Sequence, residues 1–499
     1  MKNTIYPSVK KVAALIAVFL LFTACSNDDD TVEPPLYFSP NVSLDITSGE
    51  FGVGQIITVE VSMLASGLLN TLTISAGNTV LENITYGDTG DQDFRFSFQV
   101  PPEWLGTVQT IAFTVTDKQG QQATTNYTAT VSQIEPQYTI DDITLNGVDF
   151  RQITGNVNFD ETLDNDTNWV LNGSVEVDQQ TTLTIEEGTT VYALNGDTEL
   201  DIKIGGTLLA EGTLENPIVF TSLANAPGQS GTPDAGDWIG VTLRGNDTPD
   251  DSSGILTYVR IEYAGNDDDA FQLRQVGGNT VIDYLQVFDV DDTGVRIRGG
   301  SVNLKHLVVV KPDSRCVRYG EGWTGNGQFW ALATSTDSRA INGTDDNAVP
   351  QSNPLLSNIT VVGANITEGT PGVGEGVRMQ DGANGRYYNT VLLGFDVSFR
   401  VRDGGEITMR NCAVFNNGEN GDDDGLHSSV RNQYREASNN NSEDPFTITD
   451  TFVGVSTANS SNALSLGSFF EGVNYVGAVP ADDDWTLGWT RNFDGSFRE

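Results

Sequence analysis

The stretch "DYLQVFDVDDTGVRIRGGSVNLKHLVVV", residues 283–310, holds one turn of a repeating pattern and the start of the next. "DYLQV" (283–287) and "KHLVV" (305–309) each set one residue, Tyr284 or His306, before an aliphatic alternation. Between them, "VRIR" (295–298) alternates aliphatic with cationic side chains. Successive residues of a strand face opposite sides, so Val295 and Ile297 point into a core while Arg296 and Arg298 point out. The first pattern recurs in "TYVRI", "SNITV", "YNTVL" and "RNCAV", which puts Tyr258, Tyr284, His306, Asn358, Asn389 and Asn411 in one column. The second recurs in "FQLR", "VRYG", "VRMQ" and "FRVR". It lines up Gln272, Arg296, Arg318, Arg378 and Arg400, with Arg274, Arg298, Gln380 and Arg402 as a neighbouring outward row. Short β-rich runs at intervals of roughly twenty residues, with glycine or asparagine at corners, predict a parallel β-helix over residues 140–499 with a C-terminal cap.

The columns assign two reactive residue types to structure. His306 fills a slot that asparagine or tyrosine fills in other coils, which makes it a stacked corner residue. Cys412 aligns with Val259, Leu285, Leu307 and Ile359 on the inward face and reads as a buried, inert thiol. With two histidines and three cysteines in the chain, a zinc site or a Ser-His-Asp triad has almost nothing to be built from.

The arginine rows stand out because 26 Lys+Arg face 68 Asp+Glu, a net charge of −42. That balance argues against nucleic acid as a partner, which needs a net basic face. Rungs of a sheet lie about 4.8 Å apart, so stacked arginines repel unless something neutralises them. Nearby acids (Asp289, Asp291, Asp292, Asp313, Glu375, Asp381, Asp403) form an Arg–Asp ladder in one reading. In the other, guanidinium forks hold an external polyanion such as a uronate- or sulfate-bearing glycan. The ligand-binding candidates are then Arg296, Arg298, Arg318, Arg378, Arg400 and Arg402. Trp323 and Trp330 join them from an aromatic loop over ~321–352, whose rings suit sugar stacking or a local core. Trp485 and Trp489 are expected to seal the last coil. "GNDDDA" (265–270), with Asp267, Asp268 and Asp269, is an oxygen-rich turn of the sort that can hold Ca²⁺, although it matches no defined calcium-loop spacing. No other cofactor is implied.

Lys10 and Lys11 precede the apolar run "VAALIAVFLLFTA", which ends before Cys25. A basic flank and so short an apolar run form a secretory signal rather than a membrane span. Ala24 followed by Cys25 resembles a lipoprotein processing site, giving a signal peptide over 1–24 and lipidation at Cys25. The acidic, proline-ended linker 25–36 resembles the export tag of surface lipoproteins in Bacteroidota. Residues 37–135 alternate with period two between turn-rich segments and resemble an immunoglobulin-like β-sandwich.

"WVLNGSVEVDQQTTLTIEEGTTVYA", "GGTLLAEGTLENPIVFTS" and "DWIGVTLRG" resemble the opening coils of right-handed parallel β-helix proteins secreted by Bacteroidota, a pectin-lyase-like group. The "DDDAF…GGNTVIDYLQV" segment and "DDDWTLGWT" (482–490) resemble its later parts. The resemblance implies an all-β chain: a sandwich, then a right-handed β-helix. Some members are polysaccharide lyases with a basic side chain beside calcium-binding carboxylates, and others are glycosidases with paired aspartates. For such chemistry the nearest candidates are Arg296, Arg318, Asp291 and Asp292, but the chain has no Gly-His-Gly segment of the polygalacturonase kind. The reading favours an outer-membrane, surface-exposed lipoprotein whose non-catalytic head binds an extracellular acidic glycan or docks to a TonB-dependent uptake complex. An acidic-polysaccharide lyase or glycosidase is the alternative from another class, and a purely structural adhesin the third.

Overall fold

The computed structural model describes residues 37–133, 135–334, 338–345, 348–364, 372–418, 425–449, 451–456 and 459–499. The expected signal peptide, Cys25 and the 25–36 linker lie outside the described residues. Two compact units divide the chain, one ending at residue 132 and the other running from 133 to 499, with residues 52–56 falling to the second.

The first unit is all-β. Its sequence alternates, and so does its burial: in the strand Ile56–Leu64, Ile57, Val59, Val61 and Met63 are buried while their neighbours are exposed or, at Thr58, half-buried. That strand lies between Asn41–Leu44 and Asp91–Gln99 in a three-stranded sheet. A five-stranded sheet runs in the order Ser48–Phe51, Gln122–Val131, Thr107–Asp117, Leu69–Ala76, Thr79–Thr85. Phe96 of the first sheet meets Phe113 of the second edge-on, with ring centroids 5.4 Å apart.

In the second unit, coil stacks on coil through parallel pairing, giving a β-helix that begins at the antiparallel hairpin Gln137–Leu145 and Val148–Val157. Its central coils combine a long bent strand with a short straight one. The long strands are Gly254–Glu262, Val281–Val290, Asn303–Pro312, Asn326–Ala333, Leu355–Val362 and Asn384–Leu393. The bend is local chemistry: Tyr258, Tyr284, His306, Phe329, Asn358, Asn389 and Asn411 all adopt left-handed φ between 45° and 58°. Asparagine tolerates that conformation better than other non-glycine residues. The aromatic members compensate by stacking, with centroid separations of 4.3 Å (Tyr258–Tyr284), 4.1 Å (Tyr284–His306) and 4.9 Å (His306–Phe329). His306 is therefore a corner residue as expected, and its Nδ1 lies 2.7 Å from Asp283 Oδ1.

The core consists of inward columns. One runs through Val241, Phe271, Val295, Val317, Ile341, Val377 and Phe399, all essentially inaccessible. Removing each such side chain from water contributes about 1.5–3 kcal/mol. In the next column Tyr319 faces Gly343, where a Cβ would come within 2.9 Å of the tyrosine ring; the missing side chain makes room for it. Cys316 and Cys412 are both buried, and burial pushes the Cys412 thiol up to about 12.

The stretch ~321–352 is not a single loop: Asn326–Ala333 and Arg339–Thr344 are strands of another coil, paired above and below. Trp485 and Trp489 do not sit over the last coil either. Trp489 meets Tyr258 and Tyr284 edge-on, and Trp485 meets His306 at 4.9 Å. The C-terminal segment thus runs back along the bent corner, held by corner asparagines: Asn358 Nδ2 donates to Tyr475 O and Asn389 Nδ2 to Ser461 O, each at 2.8 Å. Leu426, Val430 and Tyr434, around the short helix Arg431–Tyr434, join the solenoid core instead, with Tyr434 on Phe399.

Candidate functional site

The straight strands Phe271–Arg274, Thr293–Arg298, Arg315–Gly320, Arg339–Thr344, Glu375–Gln380 and Val397–Val401 stack in register as one wall. Their outward positions give an unbroken column, Gln272–Arg296–Arg318–Asn342–Arg378–Arg400. The sequence-derived column is therefore real, and its one long interval is filled by Asn342. A second row carries Arg244, Arg274 and Arg298, then Gly320. A third row at the corner carries Thr293, Arg315, Arg339, Glu375 and Val397.

Outward orientation does not leave these side chains in water. Arg296 is 3 % exposed and Arg378 7 %. Burial, then the adjacent Arg318 and Arg298, push the Arg296 guanidinium down to about 10. Burial followed by Arg318 also lowers Arg315, and burial lowers Arg378. Compensation is incomplete. Glu321 Oε1 accepts from Arg296 Nη2 at 3.2 Å and from Arg298 Nη1 at 3.5 Å. Asp292 Oδ1 lies 3.4 Å from Arg315. Arg318 forms no ion pair among the described residues. Buried nitrogens with no hydrogen-bond partner among the described residues collect on this face: Arg296 Nε and Nη1, Nε of Arg298, Arg315, Arg318, Arg378 and Arg400, and Asn342 Nδ2.

Further along the wall one carboxylate serves three guanidiniums. Glu375 Oε1 accepts from Arg400 Nη1 at 2.7 Å, and Oε2 from Arg378 Nη1 at 3.1 Å and Arg339 Nε at 3.3 Å. Arg402 lies at the exposed end with Asp403, 2.9 Å away.

Several expected site residues fall elsewhere. Trp323 and Trp330 are fully buried in the solenoid core, stacked on each other, with their indole N–H groups donating to Val302 O and Leu304 O. Neither can offer a ring to a sugar. The acidic pair separates: Asp292 turns to Arg315, whereas Asp291 packs beside Gly236, and burial followed by the Asp291 charge raises Asp313. Asp268 lies 3.6 Å from Arg274 and Asp269 3.9 Å from Arg298, so both turn toward the cationic rows. Burial raises Asp269. Asp267 occupies a left-handed turn position. Among the described residues, no three His, Cys, Asp or Glu side chains group as a metal site.

Arg339, Asn342 and Glu321 were not legible as site residues. A signal existed, since "SRAINGT" (338–344) repeats the frame of "SRCVRYG" (314–320), with Asn342 in the Arg318 slot.

A family model described as a pectate-lyase like beta helix domain matches residues 155–490, which span the whole wall and most of the C-terminal segment. No curated protein and no solved structure gives a significant match.

Proposed function

Since the chain belongs to the pectate-lyase-like β-helix family, we propose that it binds an acidic polysaccharide along the arginine wall and does not cleave it. The observation that carries this reading is the unbroken outward column with its excess of unpaired guanidinium N–H groups. A buried donor without an acceptor costs about 1–3 kcal/mol, and charge-assisted bonds to carboxylates or sulfates would recover it. The polymer would lie parallel to the solenoid axis, along the arginine column whose rungs are ~4.8 Å apart. Around this head we place the remaining parts: lipidation at Cys25, an immunoglobulin-like spacer over 37–135, a right-handed coil sense, exposure at the outer surface of a Bacteroidota outer membrane, and docking to a TonB-dependent uptake complex. Ca²⁺ enters only as a bridge between polymer and acidic turns.

The test is retention on polygalacturonate and heparin gels against a neutral glucan gel. Wild-type protein is expected to be held by an acidic gel, and the Arg318→Gln/Arg378→Gln double variant to run through. Equal retention of both would make the wall scaffold only. A second reading, an acidic-polysaccharide lyase, is favoured by the lowered Arg296, which is easier to deprotonate than an ordinary arginine. Ultraviolet-absorbing unsaturated ends, released from uronate polymers with Ca²⁺ and lost in Arg296→Lys, would establish it.

A further inference from the structure

The wall divides into two unequal halves. In the half around Arg378, a carboxylate already sits among three guanidiniums, because Glu375 occupies the corner row beside that rung. In the half around Arg318, the corner-row positions are Thr293 and Arg315, so no carboxylate fills the matching place. The acids near it come from turns: Glu321, 44 % exposed, reaches Arg296 and Arg298, and the buried Asp269 lies 3.9 Å from Arg298. The unpaired donors are denser in this half: Arg296, Arg318 and Asn342 present them on three consecutive rungs of one column, with Arg296 and Asn342 each more than nine-tenths buried, whereas in the other half Arg378 and Arg400 each keep one unpaired Nε.

We propose that each chain seats one external carboxylate or sulfate where Arg296, Arg318 and Asn342 line up, and that Glu375 is the chain's own anion in the equivalent seat among Arg339, Arg378 and Arg400. Glu375 is then a specificity-determining residue. It restricts the wall to one strongly held anion, so a glycan with a charge at every sugar gains nothing from the second half. Glu321 is the movable counter-ion of the first seat; an incoming anion displaces it from Arg296 and Arg298.

This inference rests on the acidic-glycan reading, and the two can fail separately. The probe is inorganic sulfate, titrated calorimetrically against the full chain, with chloride at matched ionic strength as the control. Wild-type protein is expected to bind one sulfate per chain. Arg318→Gln is expected to weaken binding at least tenfold. Glu375→Ala is expected to bind two, and to regain with sulfate the melting temperature it loses without it. If Glu375→Ala does not fold, the wild-type stoichiometry and the Arg318→Gln loss decide alone. No binding by wild type, no loss in Arg318→Gln, or a folded Glu375→Ala still binding one would each overturn the proposal. Retention on acidic gels without a discrete sulfate site sinks this inference and leaves the glycan reading. A single sulfate site in a protein that no acidic gel retains does the reverse.

Discussion

Arg318→Gln should make the protein more stable and less able to bind, and the opposite signs are the diagnostic. Arg318 lies one rung from Arg296, about 4.8 Å along the wall, and forms no ion pair among the described residues. Two unit charges at that separation repel by roughly 3 kcal/mol at an effective dielectric near 20. Arg318 is only partly buried, and Glu321 lies 3.2 Å from Arg296, so screening leaves on the order of 1 kcal/mol. The lowering of Arg296 to about 10 sets a ceiling: it corresponds to roughly 3 kcal/mol against the charged form, with burial the first cause and Arg318 the second. Glutamine keeps a hydrogen-bonding end and removes the charge. For a unit of this length, about 1 kcal/mol moves the melting temperature by roughly 1–2 °C, upward in this case. Thermal unfolding by circular dichroism at low salt, beside gel retention, measures both quantities. The linkage sign also follows. The Arg296 penalty is fully present below its folded value near 10 and fades as pH rises toward the unfolded value, so the advantage of the variant should shrink through that window. A variant that melts earlier and binds as before would refute the reasoning and make Arg318 a structural rung.

Three further outcomes test the framework. Asn389→Val should cost about 2–3 kcal/mol in urea unfolding, from a β-branched residue forced to left-handed φ and the lost bond to Ser461 O; a loss under 0.5 kcal/mol would remove the corner argument. Trp330→Ala should lose about 3–5 kcal/mol through a core cavity while folded protein keeps its polymer retention, whereas the reverse pattern would restore it as a sugar platform. Asp201, held below the usual carboxylate range by Arg244 and Lys203 despite its burial, contributes stability that is present above its unfolded value near 4 and lost as pH falls through the folded one. Asp201→Asn should therefore destabilise by about 2 kcal/mol at neutral pH, discounted for the partly exposed arginine, and the gap to wild type should close in acid.

The coil repeat was legible because strand alternation exposes it directly: Val295 in and Arg296 out needs no tertiary information. Both columns pass over one coil, between His306 and Asn358 and between Arg318 and Arg378, for one reason. Each column was defined by residue type, and one coil satisfied its geometry with other types. Phe329 takes the left-handed corner that tyrosine, histidine and asparagine take elsewhere, supported by its stack on His306. Asn342 takes an arginine slot. The same coil hid Trp323 and Trp330, whose burial depends on inward columns that the loop reading had removed. What the sequence could not supply was the pairing of charges. Glu375 reaches three arginines on three rungs, a relation set by stacking and invisible in linear spacing.

A net charge of −42 does not forbid an anionic ligand, because the relevant length is local. At physiological ionic strength a charge is felt over about 8 Å, which is less than two rungs. A group seated beside Arg318 responds to Arg296, Arg298 and Arg315 before the acidic surface elsewhere. The same length restricts what can bind. One column of side chains is a single strand wide, so a polymer tracking it in single file stays within the cationic field, while a broad duplex would lie over acidic turns such as 265–269 on its flank. On the proposed reading the composition and the wall agree: an acidic exterior would repel bulky polyanions, and a narrow line of arginines, half of it already answered by Glu375, would select thin ones with sparse charge.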